Sequence, residues 1–150
     1  MIAVVVLVII DRITKLLIVE NKVKMTILPK ILKFKCVENR GMVFGLAQGS
    51  SKIMGLVSLV ICILIVLYIL KIKNSDDNVC FGWYLILAGG IGNTIDRLTL
   101  GYVIDFIDTP WIATFNLADT FIVFGIFILI VNVFLGSGNK RSIGVRDRFW

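Results

Sequence analysis

The chain has 150 residues, 58% hydrophobic and 17% charged, with a formal net charge of +6 and a mean hydropathy of +0.95. Soluble domains run at about 45–50% apolar and about 25% charged, so this composition points to an integral membrane protein. The chain has no histidine, which excludes a Ser–His–Asp triad, a Cys–His pair and a histidine proton shuttle. Cys36, Cys62 and Cys80 lack C-x-x-C spacing and spell no disulfide framework, so no metal or other cofactor is expected. The positive charge is split between Lys22, Lys24, Lys30, Lys33 and Lys35 in one polar segment and Lys140, Arg141, Arg146 and Arg148 in the tail. Basic residues flanking apolar spans suit lipid headgroups, and no nucleic-acid motif accompanies them.

In chain order, residues 2–19 are apolar enough to cross a bilayer, yet they carry Asp11, Arg12 and Lys15. A charge at mid-membrane costs about 2.5–3.5 kcal/mol on insertion scales. Asp11 and Lys15, four residues apart, share one helical face and can pair. No basic residue precedes the apolar run and no A-x-A site follows it, so it reads as a retained helix rather than a cleaved signal peptide. Only ten residues precede Asp11, so this span is expected to be short at its inner end.

Residues 20–50 follow as a polar segment. Val23, Met25 and Ile27 alternate before a Leu28-Pro29 turn, predicting a small β-rich element lying on the membrane. Residues 53–70 are uncharged between Lys52 and Lys71, about the length that crosses ~30 Å of hydrocarbon. A third span is predicted over 79–96, with Trp83 and Tyr84 as interfacial anchors. Within it, Ala88-Gly89-Gly90-Ile91-Gly92 superficially resembles a nucleotide loop, but small residues inside a membrane helix let neighbouring backbones approach. The connection 99–114, with Pro110 and Trp111, is expected at the interface, and a fourth span covers 116–136 before a basic tail at 138–150. The expected fold is therefore an all-α membrane protein, one membrane-embedded domain of four transmembrane helices with a β-rich element between helices 1 and 2. Four spans put both termini on one side. The Lys71/Lys73 loop and the tail argue that this side is the cytoplasm, while the basic 20–52 segment argues the reverse, so charge alone leaves orientation open.

The acids carry the chemistry. Of ten acidic residues, Asp11, Asp96, Asp105, Asp108 and Asp119 lie in or beside the spans, and ionisable groups there are functional candidates because they are expensive to keep. Without histidine, paired thiols or a metal set, the remaining hydrolytic chemistry is two carboxylates sharing one proton around a water. Asn116 and Asp119, at i and i+3, point to one face of the fourth span; Asn116 also suits a helix cap. Asn93, Asp96 and Arg97 close the third span, where Asp96 could be an ion-pair partner of Arg97 or Lys15.

These residues fall into blocks that resemble the lipoprotein signal peptidase (signal peptidase II) family. Asp11-Arg-Ile-Thr-Lys15 resembles D-x-x-[ST]-K, and Asn39-Arg-Gly41-Met-Val-Phe44 resembles N-x-G-x-[AS]-F, with Val43 replacing the small residue. Gly92-Asn93-Thr-Ile-Asp96-Arg97 resembles G-N-x-x-D-R, Gly101-Tyr-Val-Ile-Asp105-Phe106 resembles G-x-V-x-D-F, and Phe115-Asn116-Leu-Ala118-Asp119 resembles F-N-x-A-D. The resemblance implies an intramembrane aspartyl endopeptidase of the bacterial inner membrane that cleaves diacylglyceryl-modified prolipoproteins before the lipidated cysteine. It further implies cytoplasmic termini, a site near the outer leaflet, and membrane lipids as partners. It puts the catalytic pair on Asp105 and Asp119, with Asp11, Lys15, Asn39, Gly41, Asn93, Asp96, Arg97 and Asn116 in support. Asp108 lies outside the matched blocks and competes with Asp105. A rival from another class is a small ion or proton transporter relaying through Asp11, Asp96 and Asp119. It would distribute its acids through the membrane depth, whereas here they cluster at one side.

Overall fold

The computed structural model describes residues 1–41, 51–72 and 77–140, the stretch 136–140 as backbone only. Val43 and the basic 141–150 stretch of the expected tail lie outside the described residues. Four helices occupy the four apolar segments: α1 (Ile2–Glu20), α2 (Ser51–Lys71), α3 (Asp77–Thr99) and α4 (Leu117–Lys140). Two of them, over Ser51–Lys71 and Leu117–Leu135, are long and apolar enough to cross a membrane. Helix α1 carries Asp11, Arg12 and Lys15, and α3 is diluted by glycine and asparagine.

Burial is inverted relative to a water-soluble fold. The largest fully buried side chains include Lys15, Asp11, Asp96, Asp105 and Asn116, while Ile2, Leu64, Phe127 and Phe134 on the helices are exposed. Water would penalise both halves of that arrangement. A hydrocarbon solvent accepts the apolar exterior and drives the charged groups inward to pair.

Helix α3 is central, packed against α1, α2 and α4. Its glycines set the spacing. A Cβ on Gly89 would fall on the Ala118 carbonyl oxygen of α4, and one on Gly82 would lie 3.1 Å from the Gly125 carbonyl oxygen. A Cβ on Gly92 would lie 2.6 Å from Asp11 Oδ2, so this glycine makes room for the α1 carboxylate. On the other side, the Thr94 hydroxyl donates to Ser58 Oγ of α2 at 2.7 Å.

The expected β-rich element forms from β1 (Lys24–Leu28) and β2 (Leu32–Asn39), an antiparallel pair. A third strand, β3 (Val103–Asp108), pairs antiparallel with β2, so the sheet order is β1-β2-β3. The expectation of a β-element drawn only from between the first two helices, with 99–114 as a plain connection, is corrected here. Val103-Ile-Asp-Phe-Ile-Asp lacks clean alternation and contains aspartate, which strands disfavour; its partner is far away in sequence. Along β3, residues 103, 105 and 107 share one face and 104, 106 and 108 the other. The register shifts between Phe34 and Val37, setting Val37 opposite Asp105 and Lys33 opposite Asp108.

Candidate active site

Asp105 and Asp119 arrive from different elements, and Asn116 joins them. Asp105 sits on β3 and is 1% exposed. Its Oδ2 accepts from Asn39 Nδ2 at 2.7 Å, and its Oδ1 accepts from Asn116 Nδ2 at 2.7 Å. Asp119 lies in the first turn of α4. Its backbone N–H donates to Asn116 Oδ1 at 2.9 Å, while its Oδ2 accepts from the Asn116 backbone N–H at 3.2 Å. This reciprocal exchange is a capping box, satisfying donors that a helix start leaves unpaired. The cap and the site use the same residue: Asn116 spends its carbonyl on the helix and its amide on Asp105.

Asn93 of α3 supplies the second link. Its Nδ2 donates to Asp119 Oδ1 at 2.7 Å, and its Oδ1 accepts from Asn116 Nδ2 at 3.0 Å. What fixes that amide is Lys15, whose ammonium donates to Asn93 Oδ1 at 3.2 Å. An ammonium has only donors, so it selects the rotamer that turns the Asn93 carbonyl toward itself and the NH2 toward Asp119.

Lys15 is held in turn by Asp11 Oδ2 at 2.9 Å and Asp96 Oδ2 at 2.8 Å, all three side chains being fully buried. Arg12 completes the cluster at 2.6 Å from Asp96 Oδ1. Two cations and two carboxylates balance, which is the condition for keeping such charges away from water. Each acid also ties α1 or α3 to the site elements: Ala118 N–H donates to Asp11 Oδ1 at 3.1 Å, and Ile104 N–H donates to Asp96 Oδ2 at 3.3 Å. Of the expected partners of Asp96, Lys15 is present and Arg97 is not, because Lys15 and Arg12 occupy both carboxylate oxygens. Sequence reading missed Arg12 as a member, although its place between Asp11 and Lys15 was the available signal.

Arg97 instead lines a cavity of 430 Å³ with Asp105, Asn39, Gly41, Met54 and Thr114. Gly41 adopts φ +75° and donates its N–H to Asn39 Oδ1 at 2.9 Å, which points the Asn39 NH2 toward Asp105. A Cβ there would be strained by that φ and would lie 2.9 Å from Met54 Sδ.

Burial raises the Asp105 pKa above the ordinary carboxylate value; the bonds from Asn39 and Asn116 oppose this, and the Asp119 charge adds to it. Asp108 differs in every respect. It occupies the other face of β3, pairs with Lys35 Nζ at 2.9 Å and accepts from the Thr114 hydroxyl at 3.1 Å. The bond from Lys35 lowers its pKa, opposite to the shift of Asp105.

A family model described as signal peptidase (SPase) II matches residues 3–135. A lipoprotein signal peptidase of Chlorobium phaeobacteroides is 34% identical over 141 residues, covering 84% of this chain and 84% of that protein. One from Streptococcus agalactiae is 31% identical over 139 residues, covering 89% and 90%. One from Clostridium novyi is 33% identical over 132 residues, covering 83% and 89%. Among solved structures, the fold is similar to one described as a bacterial membrane enzyme, with a TM-score of 0.80 and 28% identity over 93% of this chain and 89% of that one.

Proposed function

This chain belongs to the signal peptidase II family, and we propose that it is an intramembrane aspartyl endopeptidase acting through Asp105 and Asp119. Its substrate is a prolipoprotein carrying a diacylglyceryl group, cut just before the modified cysteine. The observation that carries the mechanism is the single asparagine, Asn116, bonded to both carboxyl residues. It ties the strand that bears Asp105 to the helix that bears Asp119, so acids from two different elements act as a pair.

In that pair one carboxyl keeps its proton and the other is ionised, because neighbouring like charges, one of them buried, disfavour double ionisation. The protonated member donates to the scissile carbonyl oxygen as the ionised member takes a proton from the attacking water. On collapse, the carboxyl that took the water's proton gives it to the leaving amine, and the other carboxylate takes a proton from a hydroxyl of the tetrahedral intermediate, restoring the starting protonation. Asn39, Asn93 and Asn116 position the carboxyl oxygens without titrating, so the pair keeps its single proton.

All four helices cross the membrane in this reading. The paired charges of α1 and the small residues of α3 make those two segments tolerable in lipid despite their composition. The termini are cytoplasmic, and the sheet rests at the outer face of the bacterial inner membrane. The cavity shared by Asp105 and Arg97 opens beside Met54, at the start of α2, where a lipid-anchored chain can arrive from the bilayer. Asp11 and Asp96 are neutralised by Lys15 and Arg12, which argues against their serving as steps of an ion relay. Purified protein incubated with a diacylated prolipoprotein tests the assignment: a product shortened by the signal peptide is expected, and no shortening under conditions where the protein is folded contradicts it.

A further inference from the structure

The β1–β2 hairpin has a face that the peptidase reading does not use. The register sets Lys24 opposite Lys35 and Thr26 opposite Lys33, so these side chains share one face, with Met25 and Phe34 on the other. Like charges directly opposed across a strand pair disfavour the fold unless something anionic lies between them. Asp108, bonded to Lys35 and set opposite Lys33, is one carboxylate placed among Lys24, Lys30, Lys33 and Lys35.

The turns at either end of β1 are more telling. Lys22 and Lys30 are the two described non-glycine residues with positive φ, at 46° and 64°. Glycine or asparagine fits such positions better: any Cβ crowds the following carbonyl there, glycine has none, and asparagine offsets the cost by bonding to the local backbone. The hairpin thus keeps lysine at the two places where its backbone most disfavours it. Beside the second turn lies a cavity of 110 Å³ lined by Lys30, Lys33, Asp108 and Thr109, and the Thr109 hydroxyl is sequestered with no hydrogen-bond partner among the described residues. Ile31 in its lining is 48% exposed, Trp111, two residues beyond Thr109, is 73% exposed, and Met25 on the other face of the hairpin is 51% exposed.

We infer that this hairpin is a docking surface for anionic lipid headgroups, with a headgroup phosphate seated between Lys30 and Lys33 beside Thr109. Charge complementarity selects the occupant. A face of ammonium groups backed by exposed apolar side chains matches the boundary of an anionic leaflet, with lysines at the phosphates and Met25, Ile31 and Trp111 toward the acyl chains. The Asp108 carboxylate, bonded to Lys35 and Thr114, does not outweigh the lysines around it. The inference rests on the membrane placement proposed above, but not on the chemistry of Asp105 and Asp119.

The test uses the full chain reconstituted in bilayers, with Trp83 and Trp150 replaced by phenylalanine so that Trp111 reports alone. Its fluorescence is quenched by brominated phosphatidylglycerol or brominated phosphatidylcholine. Quenching by the anionic lipid is expected to reflect an enrichment of about fivefold, declining with salt. K30N/K33Q should abolish the enrichment. K22N/K30N should weaken it while raising the thermal midpoint, because asparagine accepts the left-handed backbone; a lost preference with gained stability cannot come from misfolding. A D105N/D119N variant should keep the full preference, which separates this surface from catalysis. Equal quenching by the two lipids overturns the inference, as does a preference that survives K30N/K33Q or that soluble glycerophosphate removes, since that would be a site for free phosphate. Quenching by neither lipid overturns both the inference and the membrane placement of the sheet.

Discussion

Asn116 exchanges two hydrogen bonds with Asp119 across the first turn of α4, at 2.9 and 3.2 Å, and with its remaining amide holds Asp105 at 2.7 Å. A helix cap and a brace on Asp105 are thus one side chain. Substitution can separate the two. Asn116→Ser retains a cap oxygen, so stability should fall by less than about 1 kcal/mol, yet Asp105 loses a donor. We expect Asn116→Ser to cleave at least about a hundredfold more slowly with a nearly unchanged thermal midpoint, by analogy with removal of one preorganised donor. Equal loss of stability and activity would reduce Asn116 to a cap.

Lys15 should be required for folding more than for chemistry. Lys15→Met leaves Asp11 and Asp96 facing Arg12 alone, and breaking a buried pair costs about 3–5 kcal/mol. The double variant D11N/K15M restores balance, with Arg12 matched to Asp96. Thermal unfolding in detergent should place the double variant between the wild type and Lys15→Met. A double variant weaker than both singles would show that charge balance is not what holds α1 to α3.

The pH dependence follows from Asp105. Its raised pKa means that the folded protein retains a proton that an unfolded chain has released, so stability declines as pH rises from the ordinary carboxylate value through the raised one. If the proposed pair works with one proton, the alkaline limb of kcat/KM reports its loss. Asn39→Ala removes a bond that stabilises the ionised form and should move that limb to higher pH. A shift downward would mean that the bond from Asn39 favours the protonated carboxyl.

Much of this arrangement was legible in the sequence, for different reasons in different places. The helix of 53–70 announced itself by an uncharged run, and the Asp11–Lys15 pair by its spacing of four. The motif blocks pointed to the family that the comparisons then established. What escaped was non-local. Nothing in Val103–Asp108 says that it joins a strand from the other end of the chain, so its parity could not be used to divide Asp105 from Asp108. Arg12 was hidden similarly: its bond to Asp96 spans 84 positions, and only the packing of α1 on α3 makes it visible. The helix cap at Asn116 was legible from its residue type, whereas its bond to Asp105 depends on how β3 packs beside α4.

Orientation can be decided by labelling single cysteines in intact cells, in a chain lacking Cys36, Cys62 and Cys80. Cysteines at Lys30 and Thr109 should react with an impermeant maleimide, and one at Lys71 only after lysis. The opposite pattern would put the sheet and Asp105 in the cytoplasm, away from exported substrates.

The carboxylate pair itself is tested most directly by three single substitutions assayed on one diacylated prolipoprotein. Asp105→Asn and Asp119→Asn each remove half of a shared-proton pair while keeping its shape, so each should abolish cleavage with the fold intact by thermal unfolding. Asp108→Asn, on the other face of β3 and bonded to Lys35 and Thr114, should remain within about twofold of the wild type, as expected for a partly exposed ion pair. Loss of turnover in Asp108→Asn with activity retained in Asp105→Asn would contradict the account.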